Sequence, residues 1–316
     1  MSDLTIYKDN NVINASYRLT LNEQRLILSC IGKIQSDQPI DEQMHFSISV
    51  GEYAQLFNIT PKRAYYDLRE VVERLFDRFI VIDAKSIPDS FKEKIKIYDG
   101  KFKTRWISYI AYSNDEKKVS IGFAPLIVPY LSQLKREFTK YSLKYVAGMT
   151  STYAIRLYEI LAQHQFRNKK EVELTLCDLR EKMQTDGKHS LFGNLNNRVI
   201  KPAIEQINEH SNFNASYTTL KSGRKVVGIL IRFEFKENRK PLRVDNTEDF
   251  IGQKHSDSEQ DKSYSFNHDR KIDRKSSKKP VSNNDYGWMQ ELRDDIALGY
   301  VVEPDHAQLK SDFGVD

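Results

Sequence analysis

Between Tyr17 and Phe235 the apolar positions fall into helical and alternating runs separated by short polar breaks. In "TLNEQRLILSCIGKI", Leu26, Ile27, Cys30, Ile31 and Ile34 recur at the spacing of one helix face. Thr20 and Glu23 ahead of them form a capping-box pattern, in which each side chain satisfies a backbone N–H of the helix start. An alternating strand, "HFSISV", leads to a second box at Ser49 and Glu52 and a short helix ending near Phe57. "NIT" makes a tight turn, and Pro61 takes the first helical position, where its missing N–H costs nothing. The third helix, "PKRAYYDLREVVERLF", turns Ala64, Leu68, Val71, Val72 and Leu75 inward. Three strands follow, "RFIVID", "TRWISYIAYS" and "KKVSIGFAPLI", the last two joined at "SNDEKK".

The same order then returns. "TSTYAIRLYEILAQHQ" opens it as an amphipathic helix through Ile155, Leu157, Tyr158, Leu161 and Ala162. "EVELTL" is the short strand, and Thr175 and Asp178 cap the next helix, "LCDLREKMQ". After the loop "TDGKHSLFG" comes "FGNLNNRVIKPAIEQINEH", with Val199, Ile200, Ala203, Ile204 and Ile207 as its buried stripe. "FNASYTTLKSGRKVVGILIRFEF" closes the unit as a hairpin turning at Ser222-Gly223. Helix, short strand, helix, turn, helix and two-stranded wing is the order of a winged helix, whose last helix enters a major groove. Doubled, it predicts an α+β chain of two tandem winged-helix units related by internal pseudo-symmetry. Their expected bounds are 1–136 and 137–238. A tail over 239–316, poor in aliphatics and rich in Ser, Asp and Lys, is expected to be disordered apart from one local helix in "YGWMQELRDDIALGYVV".

Charge sharpens this picture. Residues 1–238 hold 36 Lys and Arg against 28 Asp and Glu, whereas the tail holds 13 against 16. A basic folded part fits a polyanion partner. No apolar run approaches the roughly 18 residues of a membrane span, and no basic stretch followed by an apolar one opens the chain. The expectation is a cytoplasmic protein with no membrane contact. Cys30 and Cys177 lie in apolar helix-like surroundings and read as reduced core residues rather than a disulfide or half a metal site.

The candidate chemistry lies on the third helix of each unit. The first carries Lys62, Arg63, Tyr65, Tyr66 and Arg69 on its first turns. Adjacent helical residues point about 100° apart, so at most one of Tyr65 and Tyr66 belongs to the core. The second carries Asn194, Asn196, Asn197, Arg198 and Lys201, with Lys188 in the loop before it. Arg pairs bidentately with guanine O6/N7 and Asn with adenine N6/N7. Asn196, Asn197 and Arg198 are therefore assigned to bases. Lys201, Lys221, Arg224 and Lys225 are assigned to phosphates. Pro202 removes the N–H that would bond the Arg198 carbonyl, so a bend is expected just behind the reading residues. The seven histidines include no His-x-His pair, and there is no phosphate loop or Cys-x-x-Cys spacing. No metal or cofactor is expected, and an enzyme is disfavoured. A transcription regulator and, further off, a tyrosine nickase stand among the readings left open.

Three segments, "ASYRLTLNEQRLILSCIGKI", "STYAIRLYEILAQ" and "NRVIKPAIEQINE", resemble in order and spacing the motifs of the plasmid replication initiator family, the Rep proteins of iteron-carrying, theta-replicating plasmids. The resemblance covers roughly residues 10–236. It implies that the second unit reads directly repeated origin sites through Asn196, Asn197, Arg198 and Lys201. The first unit then makes secondary contacts through Lys62, Arg63 and Arg69 and serves as the dimer interface. It implies further that monomers open the origin, while a homodimer binds an inverted repeat and represses the protein's own gene. A host initiator and the replicative helicase are the implied partners. Members are often more basic in the second helix, so Asn in place of cations suggests a different iteron sequence.

Overall fold

The computed structural model describes residues 4–237 apart from 36–37, 41–43, 88, 97, 135–136, 168–169 and 186. The tail, with its expected disorder and local helix, lies outside the described residues.

The chain begins with β1 (Thr5–Asp9), α1 (Asn10–Asn14) and β2 (Ser16–Tyr17), none of which the periodicity announces. The first winged helix follows as α2 (Leu21–Ile31), β3 (Phe46–Ser49), α3 (Val50–Leu56) and α4 (Pro61–Arg74). Thr20 caps α2 as expected: its hydroxyl accepts the Glu23 N–H at 3.3 Å and the Glu23 carboxylate accepts the Thr20 N–H at 2.7 Å. Ser49 accepts the Glu52 N–H at 3.1 Å, but Glu52 turns to Lys33 at 2.8 Å instead of closing the second box. Thr60 caps α4, with Pro61 in its first turn.

Beyond α4 run β4 (Phe79–Asp83), α5 (Asp89–Ile95), β5 (Lys101–Arg105), β6 (Ile107–Ser113) and β7 (Lys118–Phe123). The single strand expected over "TRWISYIAYS" is two strands in two sheets. β5 pairs with β4, whereas β6 pairs with β7. Between them sits fully buried Trp106, whose N–H reaches the Arg78 carbonyl while its own carbonyl accepts from Ala124. A run of alternating residues fixes strand conformation but not which sheet each half joins.

β8 (Phe138–Ser142) and α6 (Lys144–Ala147) lead to the second winged helix. It comprises α7 (Thr152–Gln163), β9 (Glu171–Thr175), α8 (Leu176–Met183), α9 (Phe192–Leu195), α10 (Lys201–His210), β10 (Phe213–Ser222) and β11 (Lys225–Phe235). The repeat holds in topology as well as in order. The sheets β3-β7-β6 and β9-β11-β10 each place the short strand beside the second wing strand, all antiparallel. In the second sheet Gly228 permits this closeness, since a Cβ there would stand 2.6 Å from the Leu174 carbonyl oxygen.

The two units share one continuous core, running from Ile6 to Phe233. β1 pairs with β8 in an antiparallel ladder, Thr5 opposite Ser142. From β1, Lys8 (1% exposed) points into this core and donates to Glu159 of α7 (0%) at 2.8 Å. The Tyr141 hydroxyl donates to the same carboxylate at 2.6 Å. Burial works to lower the Lys8 ammonium, but the Glu159 charge and bond outweigh it and leave it above its ordinary value. For Glu159, burial pushes upward, and Lys8 and Arg156 together pull it below its ordinary value. Cys30 is buried, with burial pushing its thiol up to about 12, as a core cysteine should be. Cys177 is not a core residue: it lies exposed, because α8 buries Leu179 and Met183 instead.

Candidate nucleic-acid interface

The second-unit helix is continuous from Phe192 to His210 but widens in the middle. Between α9 and α10, residues Asn196–Ile200 form a π-helical turn, closed by the Lys201 N–H on the Asn196 carbonyl. Leu195, Asn196, Ile200 and Lys201 all keep right-handed helical angles, so the helix is not broken. The turn sits directly before Pro202, which cannot donate and whose ring crowds the carbonyl four residues back. A turn with one extra residue relieves that crowding. The proline is thus accommodated by a bulge.

Below the bulge, Leu195, Val199, Ile200, Ala203, Ile204 and Ile207 are buried. Asn194, Asn197, Arg198 and Lys201 are exposed, and none of them has a carboxylate partner among the described residues. Asn196 differs from them. It is half-buried, and its side-chain oxygen accepts the Tyr217 hydroxyl of β10 at 2.7 Å, while its amide donates to Asn197 at 3.3 Å. The side-chain oxygens of both Asn196 and Asn197 thus accept a hydrogen bond within the protein. Lys188 is exposed in the preceding loop. That loop is held from below by Arg180 of α8, whose guanidinium donates to the carbonyls of Lys188, His189 and Ser190 at 3.2, 3.0 and 2.9 Å. In the same loop Gly187 and His189 take left-handed backbone angles, φ +71° and +53°.

At the wing tip Gly223 has φ +61°, which lets the hairpin turn tightly. Ser222 stands opposite Lys225, and a bulge follows at Leu220 and Lys221. Lys221, Arg224 and Lys225 therefore gather at one exposed tip, with no acidic partner among the described residues.

In the first unit the candidates are mostly engaged. Arg63 pairs with Asp67 at 2.7 Å one turn along α4. Asp67 is nearly buried, and burial pushes its carboxyl above its ordinary value, against the pull of Arg63 and Arg25. Arg69 lies over the Tyr112 ring of β6 at 5.2 Å, and Tyr65 packs edge-on against both Tyr66 and Tyr112. Tyr65 is the half-buried member of its pair and Tyr66, at 59%, the exposed one. Lys62 is exposed at the start of the helix.

Comparison with known proteins follows this geometry. Residues 5–162 match the family model described as "Initiator Replication protein, WH1", and residues 175–233 match "Initiator Rep protein, WH2". The chain belongs to the plasmid replication initiator family. Within it, a "Replication initiation protein" of Escherichia coli is 28% identical over 217 residues, covering 67% of this chain and 64% of that relative, just under two thirds of its length. A "PI protein" of Escherichia coli is 27% identical over 247 residues, covering 72% of this chain and 80% of its own. Among solved structures, "Crystal structure of Pi initiator protein in complex with iteron DNA" superposes with a TM-score of 0.62 at 24% identity, over 75% of this chain and all of that one. That likeness establishes the fold.

In this chain, sequence reading found the outward-facing residues but missed those that aim them. Tyr217 reads as a wing residue and Arg180 as an exposed helical cation, because their acceptors lie in other elements. Among the described residues no group of three or more His, Cys, Asp or Glu is placed to hold a metal ion, and no helix is long and apolar enough to cross a membrane.

Proposed function

We propose that this chain initiates plasmid replication by binding directly repeated origin sites, the iterons, without bond chemistry of its own. Residues 137–238 are the main reader and residues 1–136 the secondary contact and dimer interface. The observation that carries the reading is the set of exposed polar side chains and of cations with no acidic partner among the described residues on helix 192–210 and its wing, on a chain of the initiator family. Asn197 and Arg198 take base edges, Asn194 borders them, and Lys188, Lys201, Lys221, Arg224 and Lys225 take phosphates. Lys62, Tyr66 and Arg69 supply contacts from the first unit, with Arg63 adding only what its bond to Asp67 leaves. The relative solved with iteron DNA supports the class of ligand.

Bound at several repeats, the monomer bends the duplex, and the adjacent A·T-rich tract opens because its steps deform cheaply. The homodimer binds an inverted repeat at its own promoter and represses it. Host initiator and replicative helicase are recruited to the opened origin in the cytoplasm. Footprinting on the replicon that encodes the chain tests this. Protection of tandem sites spaced by whole helical turns beside an A·T-rich tract is expected. Protection of a lone inverted repeat would assign a transcription regulator instead. Equal shifting of random DNA would remove sequence-specific binding altogether.

A further inference from the structure

A cleft of about 740 Å³ opens where the two winged-helix units meet. Six cationic side chains line it, Arg18, Arg74, Arg78, Arg156, Lys182 and Arg198, and among the described residues no carboxylate does. Acids elsewhere answer only part of this charge. Arg78 pairs with buried Glu23 at 2.9 Å, Arg74 with Glu70 at 3.0 Å, and Arg156 lies 3.8 Å from Glu159. Arg18 and Arg198 are exposed and have no acidic partner among the described residues. Lys182 bonds to Asn14, 2.7 Å from its side-chain oxygen, and burial and the Arg156 charge hold its ammonium below the ordinary value against Asp178 and Glu181.

Two buried groups in the lining are also unsatisfied. Among the described residues Gln24, 2% exposed, has no hydrogen-bond partner for its amide nitrogen, and Arg156, 3% exposed, has none for Nε or Nη1, the latter 3.8 Å from Glu159. These atoms have almost no accessible surface, so it is the cationic lining that faces an incoming ligand. The first residues of α7 also line it, and Ser151 offers that helix no side-chain cap. A helix start adds partial positive charge to the same space.

We propose that this cleft grips phosphates of the DNA backbone where the duplex passes from one winged-helix unit to the other, with Arg18 and Lys182 as the contacting cations. The proposal rests on the DNA-binding reading above. DNA is favoured over a free anion because Arg198 belongs both to the base-reading turn and to the cleft lining. A duplex presenting a base to Arg198 brings its backbone to the same rim.

The test uses the full chain and a fluorescent duplex carrying the footprinted repeat, titrated between about 50 and 200 mM salt. Arg18→Gln and Lys182→Gln should each weaken binding by about three- to tenfold and reduce the slope of log K against log salt by about 0.9 per lost phosphate contact. Arg18 is exposed and makes no internal bond, so its variant should fold as the parent does, which a thermal melt checks. Single methylphosphonate linkages should include one position that weakens the parent chain but leaves Arg18→Gln indifferent. Unchanged slopes in both variants, with the parent still selecting its repeat, would overturn the cleft and spare the DNA-binding reading. A parent chain that selects no repeat would overturn both. If sodium pyrophosphate raises the melting temperature of the parent but not of Arg18→Gln, while duplex slopes stay equal, the cleft serves a free anion and the proposal is lost.

Discussion

The two winged-helix units share an order of elements and a sheet topology, yet they treat their cations in opposite ways. In the first unit Arg63 is tied to Asp67, Arg74 to Glu70 and Arg69 to the face of Tyr112. Even its wing tip carries Asp115 and Glu116, with Lys118 paired to the latter. In the second unit Arg198, Lys201, Lys221, Arg224 and Lys225 have no acidic partner among the described residues. An arginine already holding a carboxylate gains less from a phosphate, because the existing bond must be given up first. The contrast teaches that fold repetition does not duplicate the binding surface. On the proposed function, the reading role falls to the unit whose cations lack acidic partners among the described residues.

The largest effect should come from the buried ion pair that ties β1 to α7 in the shared core. Glu159→Gln leaves the Lys8 ammonium buried without its counter-charge, and denaturant melts should show a loss of about 3–5 kcal/mol. Fluorescence and circular dichroism should record one shared transition for both units, and separate transitions would show that they fold independently. The pH dependence carries a sign. In the parent chain the Glu159 carboxyl is depressed, so its stabilisation is present above its ordinary value of 4.5 and is lost as pH falls through the folded value. Lys8 is raised, so its share holds below 10.5 and fades as pH climbs through its folded value. In Glu159→Gln burial and the Arg156 charge are opposed only by Tyr17, the folded value of Lys8 drops, and stability should instead rise with pH toward 10.5.

Next in size, Arg198→Ala should weaken binding to the repeat by about 1–3 kcal/mol and relax preference at one base pair. The matched substitution in the first unit, Arg63→Ala, should cost binding less than about 0.5 kcal/mol, in keeping with a side chain held by its own helix. Equal losses in competition titrations would erase the contrast between units. Smaller again, Lys225→Ala should weaken specific and random duplexes alike and lower the salt slope by about 0.9. A loss confined to the specific duplex would move Lys225 from backbone to base contact.

Much of this was legible along the chain because it is local. The caps at Thr20, Ser49 and Thr175, proline at the start of α4, and the buried stripes of α2, α4 and α7 each depend on residues within a few positions. The engaged state of Arg63 was also within reach, since Asp67 stands four residues on. The rest required distant partners. A strand of five residues with a lysine in it reads as surface, and nothing near Lys8 hints that Glu159, 151 positions later, will meet it. Arg18, Gln24 and Lys182 come together only when the units close on each other. Cys177 was misplaced because its neighbours Leu176 and Leu179 suggested a buried face that α8 turns elsewhere.

The widened turn at Asn196–Ile200 has a consequence for anyone comparing specificities across such proteins. One additional residue in a helix rotates everything ahead of it by about 100° relative to everything behind it. Asn194 and Asn197 therefore do not occupy the compass bearings that counting back from Ala203 and Ile207 along a regular helix would give them. A recognition code transferred from a straight helix by position number would be out of phase here by one place. Swapping this segment between proteins should succeed only if Pro202 and the bulge travel with it as a single cassette.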